Sequence, residues 1–206
     1  MSGLFITLEG TEGAGKSTLI PKIESFLKSK GREVFCVREP GGTPIAEDIR
    51  KILKTAREDE DLCDKAELLL MYAARAQLVN TKIIPLLNKG VDVICDRHDL
   101  SSIAYQGGGR GMDLSLITKA REIAIGDFRP DLTLLLDISP KAGMERVRER
   151  GQLDRFERSK MDFFTRVRES YLDYAHKHSD VVKIIDASLD MDTVEKNAIK
   201  EISCLF

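Results

Sequence analysis

The stretch LFITLEGTEGAGKST, from Leu4 to Thr18, decides the fold. Leu4–Leu8 is a short apolar run that reads as a buried strand. Gly10, Thr11, Glu12, Gly13, Ala14, Gly15, Lys16 and Ser17 then satisfy the spacing G-x-x-x-x-G-K-S/T, and Ser17–Ser29 has helical composition. A strand that feeds a glycine loop that feeds a helix has a physical purpose. The glycines let the backbone coil so that several N–H groups point inward at phosphate oxygens, and the helix adds the positive end of its dipole. Lys16 reaches the β- and γ-phosphates and the Ser17 hydroxyl suits Mg²⁺, so Gly10 to Thr18 reads as a nucleoside-triphosphate cradle.

Working outward, four more apolar runs repeat the first: Val34–Val37, Val91–Cys95, Leu132–Leu136 and Val181–Ile185. Each is continuous rather than alternating, as expected of strands covered by helices on both faces of a sheet. Segments of helical composition separate them, among them Lys65–Asn88 and Met161–His178. In the latter, Phe163, Phe164, Val167, Tyr171 and Tyr174 recur at three- and four-residue spacing, an apolar stripe that reads as core packing. Strands alternating with helices predict an α/β fold with a five-stranded, mainly parallel sheet in one domain spanning residues 1–206. QGGGRG at Gln106–Gly111 is too glycine-rich for an element interior and is expected to be a loop. The charged run RVRERGQLDRFER, Arg146–Arg158, broken at Gly151, is expected to be a small lid, spanning about 141–158, between two helices.

Composition narrows the function. At 206 residues, with 42% hydrophobic and 32% charged residues, the chain is an ordinary globular protein. A formal net charge of −2 argues against a general nucleic-acid binder. Cys36, Cys63, Cys95 and Cys204 are widely spaced with no C-x-x-C pair, so they support neither a zinc site nor a redox motif and fit a reducing compartment. The first residues have no basic segment followed by a long apolar one, and no apolar run reaches the ~20 residues that span a bilayer. A cytoplasmic protein without membrane partners is the expectation.

The cradle alone does not name a reaction. There is no N-K-x-D for guanine and no LSGGQ-like stretch of transporter ATPases. A kinase for a nucleoside monophosphate would need a second phosphate grip, and arginine suits it because its planar fork bonds phosphate oxygens bidentately. Arg38 and Arg97 both lie just past the ends of expected strands, where open α/β sheets bind ligands; the bland alternative is a surface ion pair. Asp96, after Val93-Ile94-Cys95, is placed to serve Mg²⁺. Asp137, after Leu134-Leu135-Leu136, has the same spacing, and only the neighbouring Arg97 favours Asp96.

KAELLLMYAAR at 65–75, REPGGT at 38–43, DRHDLSSIAYQGGGRG at 96–111 and DFRPDLTLLLD at 127–137 make the resemblance close. Together with the cradle, these blocks resemble the thymidylate kinase family over most of the chain and in the family's order. The resemblance implies an ATP-dependent, Mg²⁺-using kinase that phosphorylates dTMP, and a homodimer. It also implies roles. Arg38 and Arg97 would grip the dTMP phosphate, and Glu12 would face the sugar 3′-hydroxyl or the metal-bound water. Arg75 and Ser102 would read the thymine, Tyr105 would lie against the deoxyribose, Pro40 beside the sugar and Gln106 near the nucleoside. Relatives carry a phenylalanine on the thymine where this chain has Met71, whose thioether also covers a ring face, with sulfur–aromatic contact of ~0.3–1.5 kcal/mol.

One branch of the family carries an arginine at the position of Gly13. Here the positive charge around the migrating phosphate must come from the lid, which resembles the bacterial arrangement. Arg146, Arg148, Arg150 and Arg155 supply it, and Arg150 and Arg155, flanking the hinge glycine, are the expected catalytic pair beside Lys16. Two other readings stay open at this stage: a kinase for dUMP or UMP, and a P-loop switch that binds nucleotide without catalysis.

Overall fold

Strands and helices alternate as the apolar runs require, in a computed structural model that describes residues 2–148, 154–157 and 159–206. In chain order the elements are β1 (Phe5–Glu9), α1 (Lys16–Ser29), β2 (Val34–Arg38), α2 (Pro44–Lys54), α3 (Asp64–Leu78), a π-helical turn (Val79–Ile83), α4 (Ile84–Leu87), β3 (Asp92–Asp96), α5 (Asp99–Ser102), a second π-helical segment (Ile103–Gly109), α6 (Leu114–Ile125), β4 (Leu132–Asp137), α7 (Pro140–Arg148), α8 (Met161–Lys177), β5 (Val182–Asp186) and α9 (Met191–Ser203). The five strands form one sheet in the order β2-β3-β1-β4-β5, every pairing among the described residues parallel.

The central strands are buried on both faces, which is why they read as unbroken apolar runs. Ile6, Leu8, Leu134 and Leu136 pack with Leu19, Ile23 and Leu27 of α1 and with Val194, Ala198 and Ile202 of α9. On the opposite face Phe5, Val93 and Cys95 meet Leu78, Val79 and Ile83, while Leu135 meets Phe164, Val167 and Tyr171 of α8. Thr7 and Thr133 in adjacent buried strands satisfy each other across 2.8 Å. Because the strands are parallel, Glu9, Arg38, Asp96 and Asp137 all end at one edge of the sheet, and the chain leaves β1 for β2 on one side and later crosses to β4 on the other. The crevice at that edge is where such sheets bind ligands.

Two expectations need correction. Lys65–Asn88 is not one helix: the coil widens at Val79–Ile83 before α4. Pro85 has no N–H to give to Thr81, and its ring would collide with that carbonyl in a regular helix, so a π-turn absorbs the mismatch. Gln106–Gly111 is not simply a loop either, because Gln106 to Gly109 complete the second π-helical segment. The glycines there serve close packing. A Cβ on Gly108 would stand 2.5 Å from the Ser170 Cβ, and one on Gly109 2.4 Å from the Phe163 ring. Backbone and α8 thus touch where any side chain would hold them apart. Arg146–Arg148 of the charged run belong to α7, whereas residues 149–153 and Arg158 lie outside the described residues. Among the described residues no helix is long and apolar enough to cross a membrane.

Candidate active site

The cradle is bent by its glycines. Gly10, Gly13 and Gly15 have φ of 137°, 76° and 91°, values side-chain-bearing residues rarely adopt. Gly13 is required for a second reason: a Cβ there would lie 2.1 Å from the carbonyl oxygen of Gly143, and a Cβ on Gly143 would lie 2.4 Å from the Glu12 carbonyl oxygen. The loop and α7 touch backbone to backbone, which leaves an arginine no room at position 13. Lys16 is buried and donates to the carbonyls of Gly10 (2.9 Å) and Thr11 (3.2 Å). Burial, reinforced by nearby Arg97, lowers its pKa to about 8, against the pull of Asp96, Glu12 and Glu9. Ser17 and Thr18 open α1 with exposed side chains.

From the cradle a cleft of about 690 Å³ runs across the carboxyl edge of the sheet. Glu12 to Thr18 line one half; Arg38, Pro40, Met71, Arg75, Arg97, Ser102, Tyr105 and Gln106 line the other, joined by Arg50, which sequence reasoning missed. Arg97 adopts φ 71°, the one non-glycine positive φ among the described residues. Such a conformation costs on the order of 1–3 kcal/mol and persists where surrounding bonds hold it. Here they do: Arg97 donates to Glu12 (3.0 Å), Ser101 (3.2 Å) and the Tyr171 hydroxyl (3.2 Å), and its guanidinium lies 4.9 Å from the centre of the Tyr105 ring. Tyr105 donates to the Glu12 carboxylate at 2.6 and 2.7 Å. Beneath them, buried Glu9 accepts from Ser101 Oγ (2.6 Å), Tyr171 (2.9 Å) and the His98 N–H (2.7 Å), and burial raises its pKa despite these donors.

Arg75 frames the far end. It is 2% exposed and gives Nε to Glu39 (2.7 Å), one Nη to Ser102 (3.0 Å) and the other to the His98 carbonyl (2.9 Å). Glu39 also pairs with His98 Nδ1 at 2.8 Å; burial alone would raise its pKa, but Arg75 and His98 together hold it below the usual value. Pro40 takes a hydrogen bond on its carbonyl from Arg50 (2.7 Å), and Arg38 pairs with Glu47 at 2.9 Å. Met71 is half-buried on the wall; Tyr72 points into the interior and donates to Asp99 (2.7 Å). Gln106 gives its amide nitrogen to buried Glu67 (2.7 Å).

The two candidate metal carboxylates separate clearly. Asp96 lines the cleft, and its buried Oδ1 has no hydrogen-bond partner among the described residues. Asp137 is clasped by Arg168 at 2.7 and 2.8 Å and does not line the cleft. The arginines of the charged run also diverge. Arg146 reaches the cradle, donating to the carbonyls of Gly13 (3.3 Å) and Ala187 (3.1 Å). Arg155 is not brought to the cradle: it bonds Glu67 and the Leu53 carbonyl at the other half. Arg150 lies outside the described residues. Glu9, Glu39, Ser101 and Tyr171 were missed. Glu9 and Glu39 had a signal, each being a carboxylate directly at or after a strand end. Tyr171 had none, since the same hydrophobic stripe that buries its ring hides the reach of its hydroxyl.

A parallel sheet with a glycine cradle after its first strand, and an arginine-rich second subsite in the same cleft, defines a P-loop nucleotide kinase. Comparison with known proteins narrows the class. The model of the thymidylate kinase family matches residues 8–198. Thymidylate kinase from Idiomarina loihiensis is 51% identical over 202 residues, 98% of each chain. That from Shewanella amazonensis is 51% identical over 198 residues, 96% of this chain and 94% of the relative, and that from Photobacterium profundum 50% over 195 residues, 94% and 93%. The chain belongs to the thymidylate kinase family.

Proposed function

We propose that the protein transfers the γ-phosphate of ATP to dTMP, giving dTDP and ADP. The observation that carries the reading is that the cradle, Asp96 and the side chains of Arg38, Arg50 and Arg97 line one shared cleft. Phosphoryl transfer asks a protein for positioning and positive charge rather than for covalent chemistry. Lys16 leaves the loop carbonyls for the β- and γ-phosphates, and the cradle N–H groups bind their oxygens. Arg38, Arg50 and Arg97 hold the acceptor phosphate in line. Arg97 keeps its tie to Glu12, which together with Tyr105 orients the sugar. Arg146 adds charge from the α7 side; Arg150 is proposed for the same task.

Mg²⁺ fits the residues present. Asp96 offers an unpartnered carboxylate oxygen and Ser17 an exposed hydroxyl on the same cleft, while no cluster of three or more His, Cys, Asp or Glu among the described residues offers an all-protein cage. Few protein oxygens shared with phosphates and water is how Mg²⁺ is usually held. Held by Asp96 and Ser17, it would supply positive charge against that of the triphosphate. At the base end Arg75 donates, Ser102 and Gln106 complete the polar rim, and Met71 supplies the apolar wall.

A cytoplasmic homodimer is part of the same proposal. Exposed Ile45 and Ile52 of α2, Leu69 of α3 and Ile123 of α6 give these helices the apolar surface that a second copy would cover. A coupled assay across dTMP, dUMP, dCMP and UMP tests the acceptor. Preference for dTMP is expected; equal or better turnover of dUMP would make the chain a broader pyrimidine kinase with Met71 as the cause, and absence of turnover with all four would refute the reading.

A further inference from the structure

Glu67 lies on α3 outside the cleft, is fully buried, and collects three donor side chains from two distant parts of the chain. Gln106 gives it Nε2 at 2.7 Å, Arg110 an Nη at 3.2 Å, and Arg155 an Nη at 2.5 Å. Arg155 does more than pair. Its Nε donates to the Leu53 carbonyl (2.8 Å) and its backbone N–H to the Lys54 carbonyl (3.3 Å), satisfying two of the orphan acceptors at the end of α2. Next to it, Lys54 pairs with Asp154 at 2.7 Å. The segment Asp154–Glu157 is therefore stitched to α2 and α3, on the acceptor half, at several independent points.

What the stitch holds in place is Phe156. Its ring is buried, lines the cleft, stands edge-on to Tyr105 with centroids 6.2 Å apart, and lies under the Arg155 guanidinium at 4.4 Å. The same carboxylate fixes Gln106. An amide oxygen cannot donate to a carboxylate oxygen, so Gln106 turns its NH₂ toward Glu67 and its carbonyl oxygen away from it. One buried charge thus sets both an apolar and a polar wall of the acceptor half.

We infer that Glu67 is a positioning residue for the monophosphate subsite, acting through Arg155 and Phe156 on one side and Gln106 on the other, and that Arg155 serves the acceptor rather than the migrating phosphate. The inference rests on the reading of this half of the cleft as the dTMP site. With the stitch cut, the walls are no longer preorganised, and dTMP must order them as it binds. ATP, held by the cradle, is spared.

The test is a double-mutant cycle of Glu67→Gln and Arg155→Met, read by steady-state kinetics and by calorimetric titration of dTMP. Each single substitution should raise the dTMP KM and Kd roughly tenfold, the loss expected of a buried charge-assisted pair, with ATP KM unchanged and kcat within about threefold. The double variant should be no worse than the more affected single one, as for two halves of one interaction. Additive losses, or Arg155→Met lowering kcat with dTMP KM unchanged, would overturn the assignment. Should Glu67→Gln fail to fold, the KM-against-kcat split of Arg155→Met, a side chain on the rim, decides alone. Wild-type protein that neither binds nor turns over dTMP would instead remove the underlying functional reading.

Discussion

Arg75→Lys is the substitution that best tests how the far end of the cleft is held. Lysine keeps the charge but offers one nitrogen where arginine offers three, and the Glu39 carboxylate is the partner it would keep. Two bonds are then lost: that to the His98 carbonyl (2.9 Å) and that to Ser102 (3.0 Å), both acceptors buried. Each is a buried bond from a charged donor, worth about 1.5–3 kcal/mol, so with both at the low end the loss should come to about 3 kcal/mol. For a chain of this size that lowers Tm by about 6–12 °C. Chemical and thermal unfolding of wild type and variant measure it, and the dTMP KM should rise with ATP KM unchanged. The acid limb should move as well. Glu39 is held below its ordinary value of 4.5, so its contribution is complete above that pH and fades as pH falls through the lower folded value. A weaker partner moves that folded value up, and acid unfolding should start at higher pH. A stability change under 1 kcal/mol with unchanged dTMP KM would refute the claim that Arg75 is a structural cross-brace as well as a cleft donor.

Lys16, with its pKa lowered to about 8, should lose its proton in the nucleotide-free protein as pH rises through 8, so ATP binding near pH 8–9 should be accompanied by proton uptake. Calorimetry in buffers of different ionisation enthalpy detects it, and heats independent of buffer would count against the lowered value. Stability of the free protein should by the same linkage increase between pH 8 and the ordinary 10.5, because there the unfolded chain binds the extra proton. Gly13→Ala places a methyl 2.1 Å from the Gly143 carbonyl at φ 76°; it should cost roughly 2 kcal/mol or more of stability and raise ATP KM at least tenfold while leaving dTMP titration unchanged. A variant with wild-type ATP KM would show that the loop and α7 separate freely.

Much of this was legible in the chain. The cradle, all five strands, and Arg38, Asp96 and Arg97 at strand ends could be read because each depends on a local pattern: spacing, an apolar run, the residue after it. What could not be read depends on contacts between distant segments. Asp96 and Asp137 follow their strands with the same spacing, and the clasp of Arg168 on Asp137, 31 residues away, could not be read from either neighbourhood. Arg50 sits on an amphipathic helix as any solvated arginine would, and only the fold turns it toward the cleft. The QGGGRG run pointed to a loop because glycine weakens helices in isolation. Here the lost side chains are what α8 packs against, so tertiary contact overrides local preference. Arg155 reads as catalytic because with Arg150 it flanks Gly151, and its bond to Glu67, 88 residues earlier, is not foreseeable from that local spacing.

The bond from Tyr171 to Glu9 spans 162 residues of chain. Glu9 belongs to β1, and although the His98 and Ser101 donors follow within about a hundred residues, its carboxylate lacks the Tyr171 hydroxyl until α8 has emerged and docked. Synthesis at roughly 5–20 residues per second puts about 8 to 32 seconds between the two. During that interval the cradle sequence is already exposed, but the acceptor half lacks the helix that anchors Arg97 and closes over Gly108 and Gly109. A nascent or prematurely terminated chain ending before Tyr171 therefore carries the cradle sequence without an ordered place for the acceptor, which is complete only once α8 has been made.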